Sequence, residues 1–370
     1  MGIGLLAFGL FWLVAGLQGP ENPTSIPFFA RNIVYTYCSS GCDYNNLQTA
    51  ISALPSDGGK IVIKNVNTGL AGHYNITSNT IIEFAKNARL TAKAIPTTML
   101  QINGKQNVEI INANITMRGG GGTGISCISS SNVTISGGFI DVLDSNTSHS
   151  IYGESCKHVS IHDVHIKTAR LGIQIITTSH RYDDSCDDIW ASNNKVENWS
   201  HFGILVNFCS NVHINYNDVI GPNGISNDNA IDIGGNKDSE IRGNTVTAGP
   251  SVDDGINTDR ATRALIIGNM FKGPGGAGVN LCGATDITVK RNTIATTGGN
   301  GISVIACSVQ PSQNIVEENM ISGAADYGIY VIRNAPDNVI RNNIIKSWTI
   351  SCILIQTPNP TVTNENNVCN

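Results

Sequence analysis

Charge is scarce in this chain. Only 14% of its 370 residues are Asp, Glu, Lys or Arg, and no run of like charge occurs anywhere. With a net charge of −5 there is no basic footprint, which excludes nucleic acid as the main partner. Among ten cysteines there is no CxxC pair and no Cys/His spacing of the zinc type, which excludes a zinc site. A leucine period is missing, so the chain is not a leucine-rich repeat, and its repeats are too short for propeller blades. The glycine-rich "MRGGGGTG" (117–124) has no strand-to-helix context, so it is not a phosphate loop.

Glycine, by contrast, is plentiful (39 residues), and Asn is conspicuous throughout, a composition of tight turns rather than long helices. Residues 2–17 are apolar and uncharged. Their length lies between a signal-peptide core and a short membrane span. The expectation over 1–19 is a secretion signal, with an uncleaved membrane anchor as the alternative, followed by a linker over 20–36. An exported, oxidised protein also suits ten cysteines. Five Asn-x-Ser/Thr sequons (Asn75, Asn114, Asn132, Asn146, Asn198) are compatible with export, but in so Asn-rich a chain they add little.

The chain repeats itself. A Gly-Ile-x-Ile element occurs as "GIQI" at 172, "GILV" at 203, "AIDI" at 230, "GINT" at 255, "GVNL" at 278, "GISV" at 301, "GIYV" at 328 and "CILI" at 352. The steps are 31, 27, 25, 23, 23, 27 and 24 residues. Before each copy comes a β-branched strand: "HVSI", "DIWA", "NVHI", "SEIR", "ALII", "DITV", "NIVE" and "NVIR". A unit this short cannot bury its apolar face alone, whereas stacked units pair every backbone group with the coil above and below. The pattern predicts an all-β, right-handed parallel β-helix of about ten coils, as one domain over 37–370 with an N-terminal cap over 37–70. The cap contains one predicted helix, 43–54, with Asp43 as its N-cap. Asn193/Asn194, Asn217, Asn244, Asn269, Asn292, Asn319 and Asn342/Asn343 are expected to form a ladder, each amide bonding its equivalent one coil away.

Register also predicts disulfides. Cys156, Cys186 and Cys209 each lie three residues before a central strand residue, so they share a column with in-register neighbours ~4.8 Å apart, within disulfide range. Cys186–Cys209 is predicted first, with Cys127–Cys156, Cys282–Cys307, Cys352–Cys369 and Cys38–Cys42 completing the set.

The outward residues of the Gly-Ile-x-Ile strands are Gln174, Leu205, Asp232, Asn257, Asn280, Ser303, Tyr330 and Leu354. Just before these strands come Arg170/Leu171, His201/Phe202, Asp228/Asn229, Asp253/Asp254 and Gly276/Ala277; just after come Asn207, Asp259 and Arg260. Stacking therefore brings Asp228, Asp232, Asp253, Asp254 and Asp259 together on adjacent coils. Carboxylates so close push one pKa upward, which supplies a general acid near neutrality. For any single Asp a polar turn residue is the simpler reading; the group is what points to a site.

"NDNAIDIGG" (227–235), "VDDGIN" (252–257) and "GGAGVNL" (275–281) fall one coil apart and resemble the active-site motifs of the polygalacturonases, pectin-hydrolysing β-helix enzymes of the pectin-lyase-like superfamily. Those carry Asn-Thr-Asp, Asp-Asp, Gly-His-Gly and Arg-Ile-Lys. The resemblance implies Asp253 and Asp254 as the paired aspartates. It departs at Asn229, where the first aspartate is expected, at Ala277, where the histidine is expected, and at the missing Arg-x-Lys. The resulting expectation is an extracellular glycan-processing protein, first a glycoside hydrolase on an acidic glycan. Asp254 is its acid, Asp228 or Asp232 activates water and Asp253 assists. Arg170, His201, Asn207, Asn229, Asn257, Asp259, Arg260 and Asn280 are its substrate contacts. The alternatives are a lyase or epimerase, with calcium on Asp228, Asp253 and Asp254 and with His149, Tyr152 and His201 as participants, and a non-catalytic surface adhesin. No other cofactor is expected, and a membrane partner only through residues 2–17. "HDVHIKTAR" (162–170) reads as solvated strand, and "SHRYDDSCDD" (179–188) either as a wall of the groove or as a solvated loop.

Overall fold

A computed structural model describes residues 33–64, 67–69, 73–92, 98–118, 121–142, 148–179, 181, 184–221, 228–356 and 361–370. The expected signal or anchor segment, most of the linker, Asn146, and His180, Tyr182 and Asp183 of the 179–188 insertion lie outside these residues. Among the described residues no helix is long and apolar enough to cross a membrane.

The fold is a right-handed parallel β-helix. Each coil contributes up to three strands. The first column stacks Lys157–His162, Asp187–Ser192, Ser210–Asn215, Lys237–Arg242, Thr262–Ile267 and Thr285–Lys290. A second, shorter column includes Lys195–Glu197, Asp218–Ile220, Thr245–Thr247 and Met270–Lys272. The third column holds the Gly-Ile-x-Ile strands. It runs from Tyr74–Asn75 to Ser351–Ile355, and the solenoid makes about twelve turns against the ten expected. The weak early copies account for the difference. Alternate residues of each strand face inward, so Val159, Ile189, Val212 and Ile287 stack in one buried row with Ser239 and Ala264.

That row corrects the repeat boundaries by one residue. Asp238 and Arg263, not Ser239 and Ala264, are the equivalents of His158, Asp188 and Asn211. All five adopt positive φ, between 50° and 55°, and Arg263 donates to Asp238 across one rung at 2.6 Å.

The capping helix is shorter than expected, Leu47–Ser52, with Leu47, Ala50 and Ile51 buried. Its N-cap is Asn46, whose side chain accepts from the Thr49 N–H at 2.9 Å. Asp43 cannot serve, because its carboxylate already accepts from the Thr36 N–H and hydroxyl, both at 2.8 Å.

The asparagine ladder runs Asn194, Asn217, Asn244, Asn269, Asn292, Asn319, Asn343 and on to Asn367. Each Nδ2 donates to the next Oδ1 at 2.9–3.0 Å. It also donates to a strand carbonyl, as Asn217 does to Ala191 at 2.8 Å. Every buried amide hydrogen therefore has an acceptor. The left-handed backbone belongs to the residue before each ladder position, such as Asn193, Tyr216, Arg291, Glu318 and Asn342. Asn193 and Asn342 thus shape the turn and stand outside the ladder.

All five expected disulfides are present. Cys186 and Cys209 sit in register, with Cα atoms 4.7 Å apart. Cys156 lies below Cys186 in the same column but bonds Cys127, on the third column of the preceding coil.

Candidate active site

The third column places the outward residues as the repeat arithmetic requires: Tyr152, Gln174, Leu205, Asp232, Asn257, Asn280, Ser303, Tyr330 and Leu354 follow one another, one per rung. Asp253 lies on the rung above Asp228, its N–H donating to the Asp228 carbonyl at 3.1 Å, and Gly276 on the rung above Asp253, donating to its carbonyl at 2.6 Å. Residues a full coil or two apart in sequence thus become neighbours.

The carboxylates divide into a buried pair and a rim. Asp232 is 5% exposed and enclosed by amides. Asn229 and Asn257 donate to its Oδ2 at 2.8 and 2.9 Å, the Gly234 N–H to its Oδ1 at 3.0 Å, and the Asn207 side chain also donates. Burial raises its pKa, and the four donors pull the other way. Asp254 is equally buried. It accepts from the Ala277 N–H (Oδ1, 2.7 Å) and from Asn280 Nδ2 (Oδ2, 2.8 Å). Burial pushes its pKa up to about 7, with the charges of Asp253 and Asp232 adding to the rise. Asn229 links the two acids, donating to Asp232 and accepting from the Asp254 N–H at 3.2 Å.

On the rim, Asp253 is exposed; partial burial and then the neighbouring Asp228 raise its pKa. Asp228 pairs with His201 Nδ1, and the His201 ring stacks at a tilt on Phe202, 4.5 Å between centroids.

Glycine forms the wall above the acids. A Cβ on Gly276 would lie 2.5 Å from the Asp253 carbonyl and 2.8 Å from Asp254 Oδ1. Only glycine lets that rung close down without displacing the carboxylate. In the polygalacturonase-like motif the next residue is histidine; here Ala277 offers its backbone N–H instead.

Several expected contacts are already engaged. Arg260 is held by its neighbour Asp259, 2.9 Å from Nη2 to Oδ2. Both lie past the strand end, beside the Cys282–Cys307 disulfide. Among the described residues Arg170 has no carboxylate partner, but its strand lies on the coil below His201. Asp228, Asp253 and Asp254 do not gather around one point as calcium binding would need; among the described residues only Asp259, Cys282 and Cys307 do so, and those two sulfurs are bonded to each other. The reason is local, since Asp228 turns to His201 while Asp254 turns both oxygens to N–H donors. His149 and Tyr152 lie against each other, 5.2 Å between centroids, with the Tyr152 hydroxyl donating to Glu154 at 2.5 Å.

Sequence reasoning missed the amide cage around Asp232 and a small apolar cluster on the outer face: Leu171, Ile176 and Leu205, with Tyr152 and Phe202 packed against it. Leu205 and Phe202 stood in the outward columns, and an outward Leu on a strand otherwise flanked by polar residues was the available signal.

The chain is similar in fold to proteins of different activities. PfbA, a surface adhesin of Streptococcus pneumoniae, superposes with a TM-score of 0.61 at 16% identity, over 83% of this chain and 87% of that one. The GH136 lacto-N-biosidase of Eubacterium ramulus gives 0.57 at 12% identity, over 91% and 67%. An exopolygalacturonase of Thermotoga maritima gives 0.50 at 11% identity, over 87% and 86%. No curated protein matches the sequence. The family model described as right handed beta helix region matches residues 172–345, the coils that carry the acid cluster, in agreement with the parallel β-helix that the strand register builds.

Proposed function

We propose that this is an exported glycoside hydrolase acting on a glycan laid across the third column over residues 170–281. One observation carries the reading: a buried carboxyl, Asp254, whose pKa burial pushes up to about 7, lies beside the exposed Asp253 on its own rung, with Asp228 on the rung below. A carboxyl able to donate a proton, flanked by a second carboxyl, is what glycosidic hydrolysis requires. Asp254 gives its proton to the leaving glycosidic oxygen as the bond to the anomeric carbon breaks. Asp228, oriented by His201, takes a proton from the water whose oxygen attacks that carbon. Asp253 holds charge beside them. Asp232, enclosed by four N–H donors, positions Asn229 and Asn257 rather than reacting. Export is supported by five disulfides and by the apolar N-terminal segment.

A second reading, a glycan-binding adhesin, is favoured by Ala277 standing where the resemblance calls for histidine. One screen separates the two. Wild type and Asp254→Asn are incubated with panels of neutral and uronate polysaccharides, with and without EDTA, and reducing ends and unsaturated products are measured. Reducing ends from the wild type, lost in Asp254→Asn and indifferent to EDTA, are expected. Unsaturated products abolished by EDTA would point to a metal-assisted lyase. Glycan binding without turnover would establish the adhesin.

A further inference from the structure

One corner of the solenoid is hollow, and it lies away from the acids. On the rung that begins with Thr80–Phe84 the chain rounds the corner through four residues, Ala85 to Ala88, closed by the Ala88 N–H donating to the Ala85 carbonyl at 2.9 Å. On the next two rungs the strands Gln106–Met117 and Ser131–Val142 pass the same corner without a break. The turn therefore stands out below them, with Lys86 and Asn87 exposed. Gly138 keeps the upper crossing tight: its φ is 99°, and a Cβ there would lie 2.2 Å from the Ala113 carbonyl. The result is a cavity of about 350 Å³ between the turn and Phe139, within the range of small-molecule sites, roughly 300–1,000 Å³. It joins the first and second columns, three rungs below the one that carries Asp228, whereas the acids border the third column.

Three side-chain amides line this cavity, those of Asn87, Asn112 and Asn114. None has a hydrogen-bond partner among the described residues, and all are exposed or half-buried. The ladder asparagines are the contrast, each committing its amide to the next rung. Phe139 sits one rung above Asn114 in register. On its upper side the ring meets His165 at 88°, 5.2 Å between centroids, and His165 is itself held by Glu197 at 2.6 Å. On its lower side Asn114 is too short to cover it, and the ring is half-buried and lines the cavity. Lys86 is the only charge on the lining and has no carboxylate partner among the described residues.

A sugar ring matches this set. An amide presents a donor and an acceptor side by side, which suits hydroxyls on neighbouring ring carbons. An aromatic face, with its negative quadrupole, takes the C–H face of a pyranose. Every group named is reachable from solvent, so a ligand enters without disturbing the core. The geometry points to a second, non-catalytic saccharide site at this corner: one pyranose ring against Phe139, its hydroxyls paired with Asn87, Asn112 and Asn114 and an outer oxygen with Lys86. The site does not depend on the acids, since it anchors a glycan whether or not the third column cleaves one.

Binding of small sugars tests it. Asn114 heads an Asn-Ile-Thr sequon, so the protein is used without a glycan there, checked by mass. Methyl pyranosides of neutral hexoses, xylose, N-acetylhexosamines and uronic acids are titrated by saturation-transfer NMR against wild type and Asp254→Asn. At least one pyranoside should bind both proteins equally. Asn112→Ala with Asn114→Ala should weaken that ligand tenfold or more. Phe139→Ala should do the same, while Phe139→Tyr, which keeps the ring, should retain binding. Circular dichroism checks each variant, and the amide pair decides alone if Phe139→Ala does not fold, because Asn112 is exposed. No pyranoside binding, or binding unaffected by either change, would overturn the site. Binding lost in Asp254→Asn but kept in the corner variants would place the sugar on the third column and overturn it equally.

Discussion

Replacing Asp254 by Asn should change how the stability of this protein depends on pH, whether or not any substrate is known. In the folded chain the Asp254 carboxyl is pushed from 3.8 up to about 7, first by burial. In the unfolded chain it returns to its ordinary value. The folded state therefore binds the proton more tightly, and stability falls as pH rises from about 4 through 7. At about 1.36 kcal/mol for each pH unit of that interval, the penalty for the ionised form is on the order of 4 kcal/mol, complete above about pH 8. The amide introduced by Asp254→Asn carries no charge and does not incur it. The local bonds survive the change: Ala277 N–H still has an oxygen to donate to, and Asn280 can turn its partnerless Oδ1 toward the new amide. The assay is urea unfolding of oxidised wild type and Asp254→Asn between pH 4 and 8, comparing the difference in free energy so that carboxylates not coupled to Asp254 cancel. The mutant should gain a few kcal/mol relative to wild type across that window. Parallel curves would show that Asp254 is ionised throughout, and the assignment of a neutral acid at this position would be wrong.

Two further perturbations probe the scaffold and the wall of the site. Asn269→Leu should destabilise the fold by about 3 kcal/mol or more, because Asn244 loses the acceptor for both its N–H and its side-chain amide; urea unfolding measures it, and a change under about 1 kcal/mol would show the ladder to be dispensable. Gly276→Ala should cut turnover of any identified substrate tenfold or more, since its Cβ would stand 2.8 Å from Asp254 Oδ1, and an unaltered rate would mean that the Asp254 carboxyl has room to move.

Much of this was legible from the chain because a solenoid is nearly one-dimensional. Each coil meets only its neighbours, so a repeat of 23 to 31 residues converts directly into spatial adjacency. That is why the Gln174-to-Leu354 row and the Cys186–Cys209 disulfide followed from spacing, while the other four pairs completed the set. Where the repeat is degenerate the reading slipped. "SEIR" and "ALII" were framed one residue late, because Ser239 and Ala264 fill inward positions that are Val or Ile on neighbouring coils. The helix cap went to Asn46 because a strand pairing, invisible locally, had already claimed Asp43.

The sequence by itself determined the architecture, the register and which residues share a face, since those depend only on a repeated apolar period and backbone pairing. The tertiary structure decided what each acid is. Five aspartates that look alike along the chain become a caged carboxylate, a buried acid near neutrality, a solvated pair and an arginine partner. Protonation and hydrogen bonding are set by depth, by side-chain amides on the same or the adjacent rung and by the nearest charge, and no linear pattern carries those distances.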